Sequence, residues 1–258
     1  MSLQYANAQV ENNTGFSQVR DARIQSIDQI LVQGSGRIRS ELRRGRWNWT
    51  AGIGADYGRA TIKPVGIAPI KNETTDRWTS DTEIRRELLR ARMAGIGPHF
   101  GAGPFYKLSY DSEFTKPQSQ ELRRLVRSTI GIKLFDGYPI ESLYAGAVSE
   151  SDYARGAPNT EYGWGAGMRL AWSVPGTRAK LALETDFVRF FDSVLDSPDD
   201  LKSEFECEVR LSVPVWRDLR LAHYARYYRF EGKIVPQTGH QLEFGFSLDF
   251  NFLLKPLY

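Results

Sequence analysis

The sequence predicts an all-β fold: a single transmembrane, antiparallel, up-and-down β-barrel of about 12 strands. Three observations predict it. Apolar and polar residues alternate over long stretches. Those stretches run to about 11–15 residues, well beyond the 5–6 usual in soluble sheets. The connections between them are alternately short and long, as in a barrel that crosses a membrane.

Successive side chains of a strand point to opposite faces, so a half-lipid, half-water strand must alternate. Residues 242–252 set Leu242, Phe244, Phe246, Leu248, Phe250 and Phe252 against Glu243, Gly245, Ser247, Asp249 and Asn251. Residues 162–174 set Tyr162, Trp164, Ala166, Met168, Leu170, Trp172 and Val174 against Gly163, Gly165, Gly167, Arg169, Ala171 and Ser173. Residues 205–213 and 47–61 repeat the pattern. In 162–172 aromatic residues bracket aliphatic ones over roughly 25 Å at the usual rise and tilt, the height of a barrel's apolar band.

Eleven segments follow this rule: 28–42, 47–62, 77–93, 98–112, 119–134, 139–152, 160–173, 178–191, 201–213, 219–231 and 238–254. Short turns fall near Arg44-Gly45, Gly95-Ile96-Gly97, Asp136-Gly137, Pro175-Gly176 and Arg217-Asp218. Longer links fall near 63–76, 113–118, 153–159, 192–200 and 232–237. Short turns are periplasmic and long loops external in such barrels, so the first and last clear strands both descend. A twelfth strand is therefore expected before residue 28, with 3–13 and 16–26 competing, and both termini are expected to be periplasmic. The division is an N-terminal segment, 1–27, carrying that strand, and the barrel proper, 28–258, together one domain. Ala6-Asn7-Ala8 also fits the small-residue end of a signal peptide. Residues 80–93 can be read as a capped amphipathic helix; a strand with a bulge near Leu88-Leu89 is the preferred reading.

Composition narrows the class. The 258 residues are 41% hydrophobic, with a mean hydropathy of −0.43, and contain no apolar run long enough for a membrane helix. A membrane barrel escapes such averages because only alternate residues face lipid. A soluble sandwich also alternates, but mid-strand charges opposite large aromatic faces favour the membrane barrel. The net charge of +3 gives no argument for nucleic acid, and the lone Cys207 excludes an internal disulfide.

The layout from about 28 to 258 resembles bacterial outer-membrane β-barrel proteins. Within them it is most similar to poorly characterised families of the salt-induced outer-membrane protein kind. The Gly-rich stretch from Gly95 to Tyr106 and the alternating tail from Leu242 through Leu254 to Tyr258 carry the resemblance. Pro256 departs from the pattern because it cannot donate to a ladder. The resemblance implies an outer-membrane location, contact with outer-membrane lipid and lipopolysaccharide, and insertion by the barrel-assembly machinery. It brings no catalytic motif.

Function has one place to be written, the polar face of the strands. The expected basic lumen lining is Arg37, Arg39, Arg43, Arg90, Arg92, Arg123, Arg127, Lys133, Arg169, Arg220 and Arg226. The acidic lining is Glu41, Asp56, Glu184, Asp186, Glu204, Glu206, Glu208, Glu243 and Asp249. If strand n faces strand n+6, basic strands two, four and six oppose the mainly acidic strands eight, ten and twelve and their neighbour nine, although strand eight itself offers only Arg169. One reading is a narrow channel with a transverse field that steers small charged solutes. The alternative is a structural or partner barrel plugged by its own Arg–carboxylate network. A lipid-processing enzyme needs a Ser or His site near the outer leaflet. Of His99, His223 and His240 only His240 lies near an external loop, without an evident Ser, Asp or Asn beside it.

No metal-ligand spacing and no cofactor motif is present. The Gly163–Gly167 string reads as packing or lumen space rather than a phosphate loop. Asp192, Asp196, Asp199 and Asp200 suggest a solvated loop more than a divalent-cation site. A protein partner in the envelope would use outward polar residues, with Arg86, Arg124 and Arg189 the candidates.

Overall fold

The computed structural model describes residues 1–11, 29–62, 70–91, 99–114, 122, 124–153, 159–193, 196, 200–234 and 238–250. Thirteen strands carry almost all of them. They are β1 (Ser2–Glu11), β2 (Gln29–Arg44), β3 (Trp47–Ile62), β4 (Ile70–Arg86), β5 (Leu89–Ala91), β6 (Phe100–Ser112) and β7 (Arg124–Phe135). Then come β8 (Ile140–Asp152), β9 (Asn159–Ser173), β10 (Lys180–Phe190), β11 (Leu201–Trp216), β12 (Leu219–Gly232) and β13 (Thr238–Phe250). Each pairs antiparallel with its neighbours, and β1 pairs with both β2 and β13. The sheet is therefore closed. Because β4 and β5 both pair with β6, they are two parts of one stave, and the barrel has twelve staves.

The closing strand is β1, which overlaps the candidate at 3–13; the competing segment 16–26 lies outside the described residues. Ala6 and Ala8 are buried in β1, with Gly245 and Glu243 on one side and Leu31 and Gln29 on the other. This corrects the signal-peptide reading of Ala6-Asn7-Ala8. Small residues are used here because β1 packs against the Tyr224 ring inside the barrel.

The break at Glu87–Leu88 has a local cause. Between the pairs Arg85–Phe105 and Leu89–Ala102 lie three residues on the β4–β5 side and two on β6. One residue is therefore extra, the definition of a bulge. Opposite it stand Gly103 and Pro104. Pro104 has no N–H to offer a ladder. A Cβ at Gly103 would lie 1.8 Å from the Arg86 carbonyl oxygen, so only glycine admits the bulged backbone. The helical reading of 80–93 is thereby replaced by the bulged strand.

Four tight connections need a left-handed residue: Gly45 (φ 60°), Gly176 (φ 73°), Asp136 (φ 61°) and Arg217 (φ 43°). Each falls where a short turn is expected, and Gly and Asp tolerate that region for steric reasons. The predicted turn at 95–97 lies outside the described residues. Two boundaries differ from the sequence reading. β4 begins at Ile70, inside the predicted link 63–76, and β11 runs on to Trp216. Its register shifts between Pro214 and Trp216, a bulge that accommodates the missing donor of Pro214.

Parity sorts the two faces. Leu3, Tyr5, Ile38, Leu42, Trp47, Trp49, Ile53, Ile130, Ile132, Trp164, Val209, Val213, Phe244, Phe246 and Leu248 are exposed on the outside. So large an apolar belt on a closed sheet is unfavourable in water and is satisfied by lipid. Closure also leaves no open strand edge in the hydrocarbon. The chain is a transmembrane barrel of the outer-membrane type.

Candidate functional site

The site is the interior, and it is built from alternate residues of every stave. Its lower part, at the short-turn end, begins with Lys133 on β7. The Lys133 ammonium donates to both carboxylate oxygens of Glu83 on β4, at 2.9 and 2.8 Å, reaching over β6. The pair passes over Phe105 of β6, whose ring lies under the ammonium at 5.6 Å. At the rim Arg43 bonds Glu41 at 2.7 Å and Asp136 at 3.2 Å, and Arg85 reaches the other oxygen of Asp136 at 3.2 Å. Asp136 sits in the β7–β8 turn, so β2 and β4 are tied to it across the opening. Arg85 also lies 4.5 Å over the ring of the buried Phe135.

The interior toward the long-connection end is crossed by Arg127 of β7. Its guanidinium pairs with Glu150 on the adjacent β8 and with Glu204 on β11 at 3.3 Å. β7 and β11 are four staves apart, so this pair spans the interior. Beside it the Tyr144 hydroxyl of β8 donates to Asp186 of β10, passing over Gly167 of β9. The glycines at 163, 165 and 167 serve packing rather than open space: a Cβ at Gly163 would lie 2.1 Å from the Arg189 carbonyl oxygen and one at Gly165 3.0 Å from Val148. A Cβ at Gly167 would meet the Tyr144 ring at 2.3 Å.

The wall from β11 to β13 holds a second network. Arg226 meets Glu208 at 2.6 Å, Glu206 at 3.4 Å and Glu243 at 3.7 Å. Arg210 meets Glu208 at 2.8 Å, Asp249 at 2.9 Å and the Ser247 hydroxyl at 2.9 Å. The Tyr224 hydroxyl donates to Glu243 at 2.7 Å. Each carboxylate here neutralises a guanidinium within two staves, as buried charge requires.

The long-connection end is closed differently. Val148, Val188 and Phe190 form a buried apolar cluster on inward positions, and Tyr228 and Phe230 are fully buried. Above them Lys233 donates to Asp196 at 2.7 Å and to the Phe191 carbonyl at 2.8 Å, with Glu161 at 2.9 Å. Burial works against its charge, but the bonds from Asp196 and Glu161 prevail and raise its pKa above the ordinary lysine value. Glu161, Asp196 and Asp200 have ligand atoms within 4.8 Å of one another. The ammonium occupies the position a cation would take. Asp196 and Asp200 are thus turned inward, contrary to a fully solvated loop, while Asp192 is exposed.

The other sequence-predicted residues are placed as follows. Arg169 bonds Glu141 at 3.1 Å and lies 3.9 Å from Glu184. Arg90 pairs with Glu87 at 2.8 Å at the exposed rim. Asp56 is the register partner of Arg77. Arg37, Arg39 and Arg220 make no ion pair among the described residues. Arg92 and Arg123 lie outside the described residues. The opposed walls meet less than expected. Among the described residues, interior ion pairs between strands mostly join staves one or two apart. The Arg127–Glu204 contact spans four staves rather than six, because a single arginine reaches along a chord and not a diameter. Sequence reasoning missed Glu83, Glu150 and Tyr144, whose inward parity was readable. It also missed Asp136 and Lys233 as straps, for which connecting residues carry no periodic signal.

The histidines do not come together. His99 precedes β6, His223 pairs with Leu211 and Phe246 on the outer face, and the His240 Nδ1 is hydrogen-bonded to the Tyr227 hydroxyl at 2.6 Å. Among the described residues no serine bonds His240.

No family model matches the chain, and no curated protein matches it. Solved structures do. One is outer membrane phospholipase A from Escherichia coli, 14% identical, covering 97% of each chain with a TM-score of 0.46. Another is a calcium-bound dimer of the Salmonella typhi outer membrane phospholipase, 15% identical, covering 96% of this chain and 89% of that one, TM-score 0.48. The NanC porin is 10% identical, covering 97% of this chain and all (100%) of that one, TM-score 0.41. At these values the likeness is one of barrel architecture.

Proposed function

We propose that this barrel is a narrow channel for small charged solutes, wetted along its interior but crossed by its own ion pairs. One observation carries the reading: interior charges in mid-strand keep contact with solvent. The side chains of Glu184 and Arg169 are 65% and 48% exposed. Even Arg127, Arg210 and Arg226, at the centre of their networks, retain 23%, 21% and 25%. A barrel filled throughout would bury them as it buries Phe230. Charged side chains at a constriction act on passing ions through space and favour solutes that can replace one partner of a pair.

A second reading is a non-conducting structural barrel. The strap from Arg127 to Glu204, the strap at Lys233 and the buried Val148–Val188–Phe190 cluster favour it. The refolded protein in a planar lipid bilayer separates the two. The channel reading expects small, discrete conductance steps with ion selectivity. It also expects an increase of about two-fold or more in R127Q/E204Q, where neutral side chains no longer hold the strap. A wild-type protein that stays silent while R127Q/E204Q conducts supports the filled barrel. Silence of both refutes the channel.

A further inference from the structure

A second site lies on the opposite face of the sheet from any solute path, and it stands whether or not the barrel conducts. Arg189 on β10 is the register partner of Trp164 and Ser203, and Trp164 belongs to the exposed belt. Arg229 on β12 is the partner of Phe205 and His240. Both arginines therefore point outward, and both are exposed. The two arginines and His240 sit at the strand ends that adjoin the long connections at 191–200 and 233–237.

Neither arginine has an ion-pair partner among the described residues. This contrasts with Arg127, Arg210 and Arg226 inside. The outward carboxylates on the flanking strands are committed or displaced. Glu231 is held by Lys202 at 3.5 Å, and Glu11 lies on the far side of His240. A guanidinium at the edge of hydrocarbon is unfavourable unless a counter-charge reaches it, and no described residue supplies one. The charge available at that level of a membrane is the phosphate of a lipid headgroup.

The geometry suits one such headgroup. Arg189 and Arg229 are two strands and two residues apart, about 12 Å between backbones at the usual strand spacing and rise. Arginine side chains of this length can converge on a group placed between them. His240 adds a fixed polar ring: it stacks on Tyr227 at 5.8 Å, and the hydrogen bond at Nδ1 leaves Nε2 available beside Arg229. Two residues toward the membrane centre on the same strands and face lie Phe187, which contacts Trp164 at 5.1 Å, and Tyr227, which contacts Phe205 at 6.3 Å. These rings form an apolar surface for acyl chains below and beside the charges. Guanidinium above and aromatic surface below match an amphiphilic anion better than a free one.

We infer that Arg189, Arg229 and His240 form an outer-surface site for the phosphate headgroup of an anionic membrane lipid, in the leaflet on the long-connection side. Native mass spectrometry of the full chain in detergent with added phosphatidylglycerol tests it. The wild-type protein retains one phosphatidylglycerol. Each basic side chain near an anionic surface changes partitioning roughly five-fold, so R189Q/R229Q binds about 25-fold more weakly. K202Q, whose charge is spent on Glu231, binds as wild type. Should the double variant fail to show the heat-dependent gel mobility of a folded barrel, R189Q and R229Q singly each read about five-fold weaker binding. Unchanged retention in these variants overturns the site. Equal retention of zwitterionic phosphatidylcholine overturns it too. Complete displacement of the lipid by millimolar inorganic phosphate assigns the site to a free anion and overturns the lipid.

Discussion

Replacing Gly167 with alanine tests whether the interior is built row by row. Tyr144, Gly167 and Asp186 are register partners on β8, β9 and β10. The Tyr144 side chain lies flat over the glycine to reach Asp186. An added Cβ would stand 2.3 Å from one ring carbon of Tyr144, 2.9 Å from the next and 3.0 Å from an Asp186 oxygen. The ring cannot swing away without losing its carboxylate, so the substitution must break the bond or strain the sheet. A hydrogen bond to a charged group contributes about 1.5–3 kcal/mol, and overpacking costs about 1–3 kcal/mol. The expected loss is about 3–5 kcal/mol, which for a chain of this size lowers Tm by roughly 10 °C. Urea unfolding in lipid vesicles, followed by tryptophan fluorescence, measures it. G34A is the control, because nothing lies within 4 Å of a Cβ there; it should be neutral within about 0.5 kcal/mol. Y144F should remove more than about 1 kcal/mol of the G167A penalty, since the two changes act on one contact. Equal stability of G167A and G34A, or strict additivity with Y144F, refutes the bridging account.

Two further predictions concern stability. Lys133 and Glu83 are both nearly buried, so K133M strands a carboxylate and should lose about 3–5 kcal/mol in the same unfolding assay, most of it recovered in K133M/E83L. At the turns, G45A and G176A should each cost about 1 kcal/mol because their φ angles are positive, while R217G should gain a comparable amount at φ 43°.

Alternation made the barrel legible because a membrane strand must satisfy lipid on one side and water on the other. Leu242 to Asp249 announce this without any tertiary information. The turns were legible where Gly45, Asp136 and Gly176 supply the backbone conformation themselves. β1 was less so. Its inward residues Ala6 and Ala8 are small, because the Tyr224 ring fills the space a larger side chain would take, and small residues carry no amphipathic signal. The bulge at Glu87–Leu88 was visible as a broken period, but its cause, Gly103 and Pro104, lies on another strand.

The interior was legible as a set of residues and illegible as a set of pairs. Parity says that Arg127 and Glu204 face inward; it does not say that they meet. Which inward residues meet depends on the stagger between strands, since a slanted barrel brings residues level that are not register partners. The stagger follows from closure of β1 on β13, a long-range event with no local signature. The same limit explains why a field between opposed walls was expected while most bonds form within a wall. An arginine near a carboxylate two staves away loses little by bonding there and gains nothing by extending across water. Charge of one sign concentrated on one wall is therefore partly spent before it can act across the lumen. Arg127 does both: it bonds Glu150 one stave away and also reaches Glu204, while Asp186 is held by Tyr144. Breaking the Tyr144 bridge over Gly167 frees Asp186 to compete with Glu204 for Arg127. G167A should accordingly raise conductance toward the R127Q/E204Q level as well as lower stability, and a destabilised variant with wild-type conductance would uncouple the two.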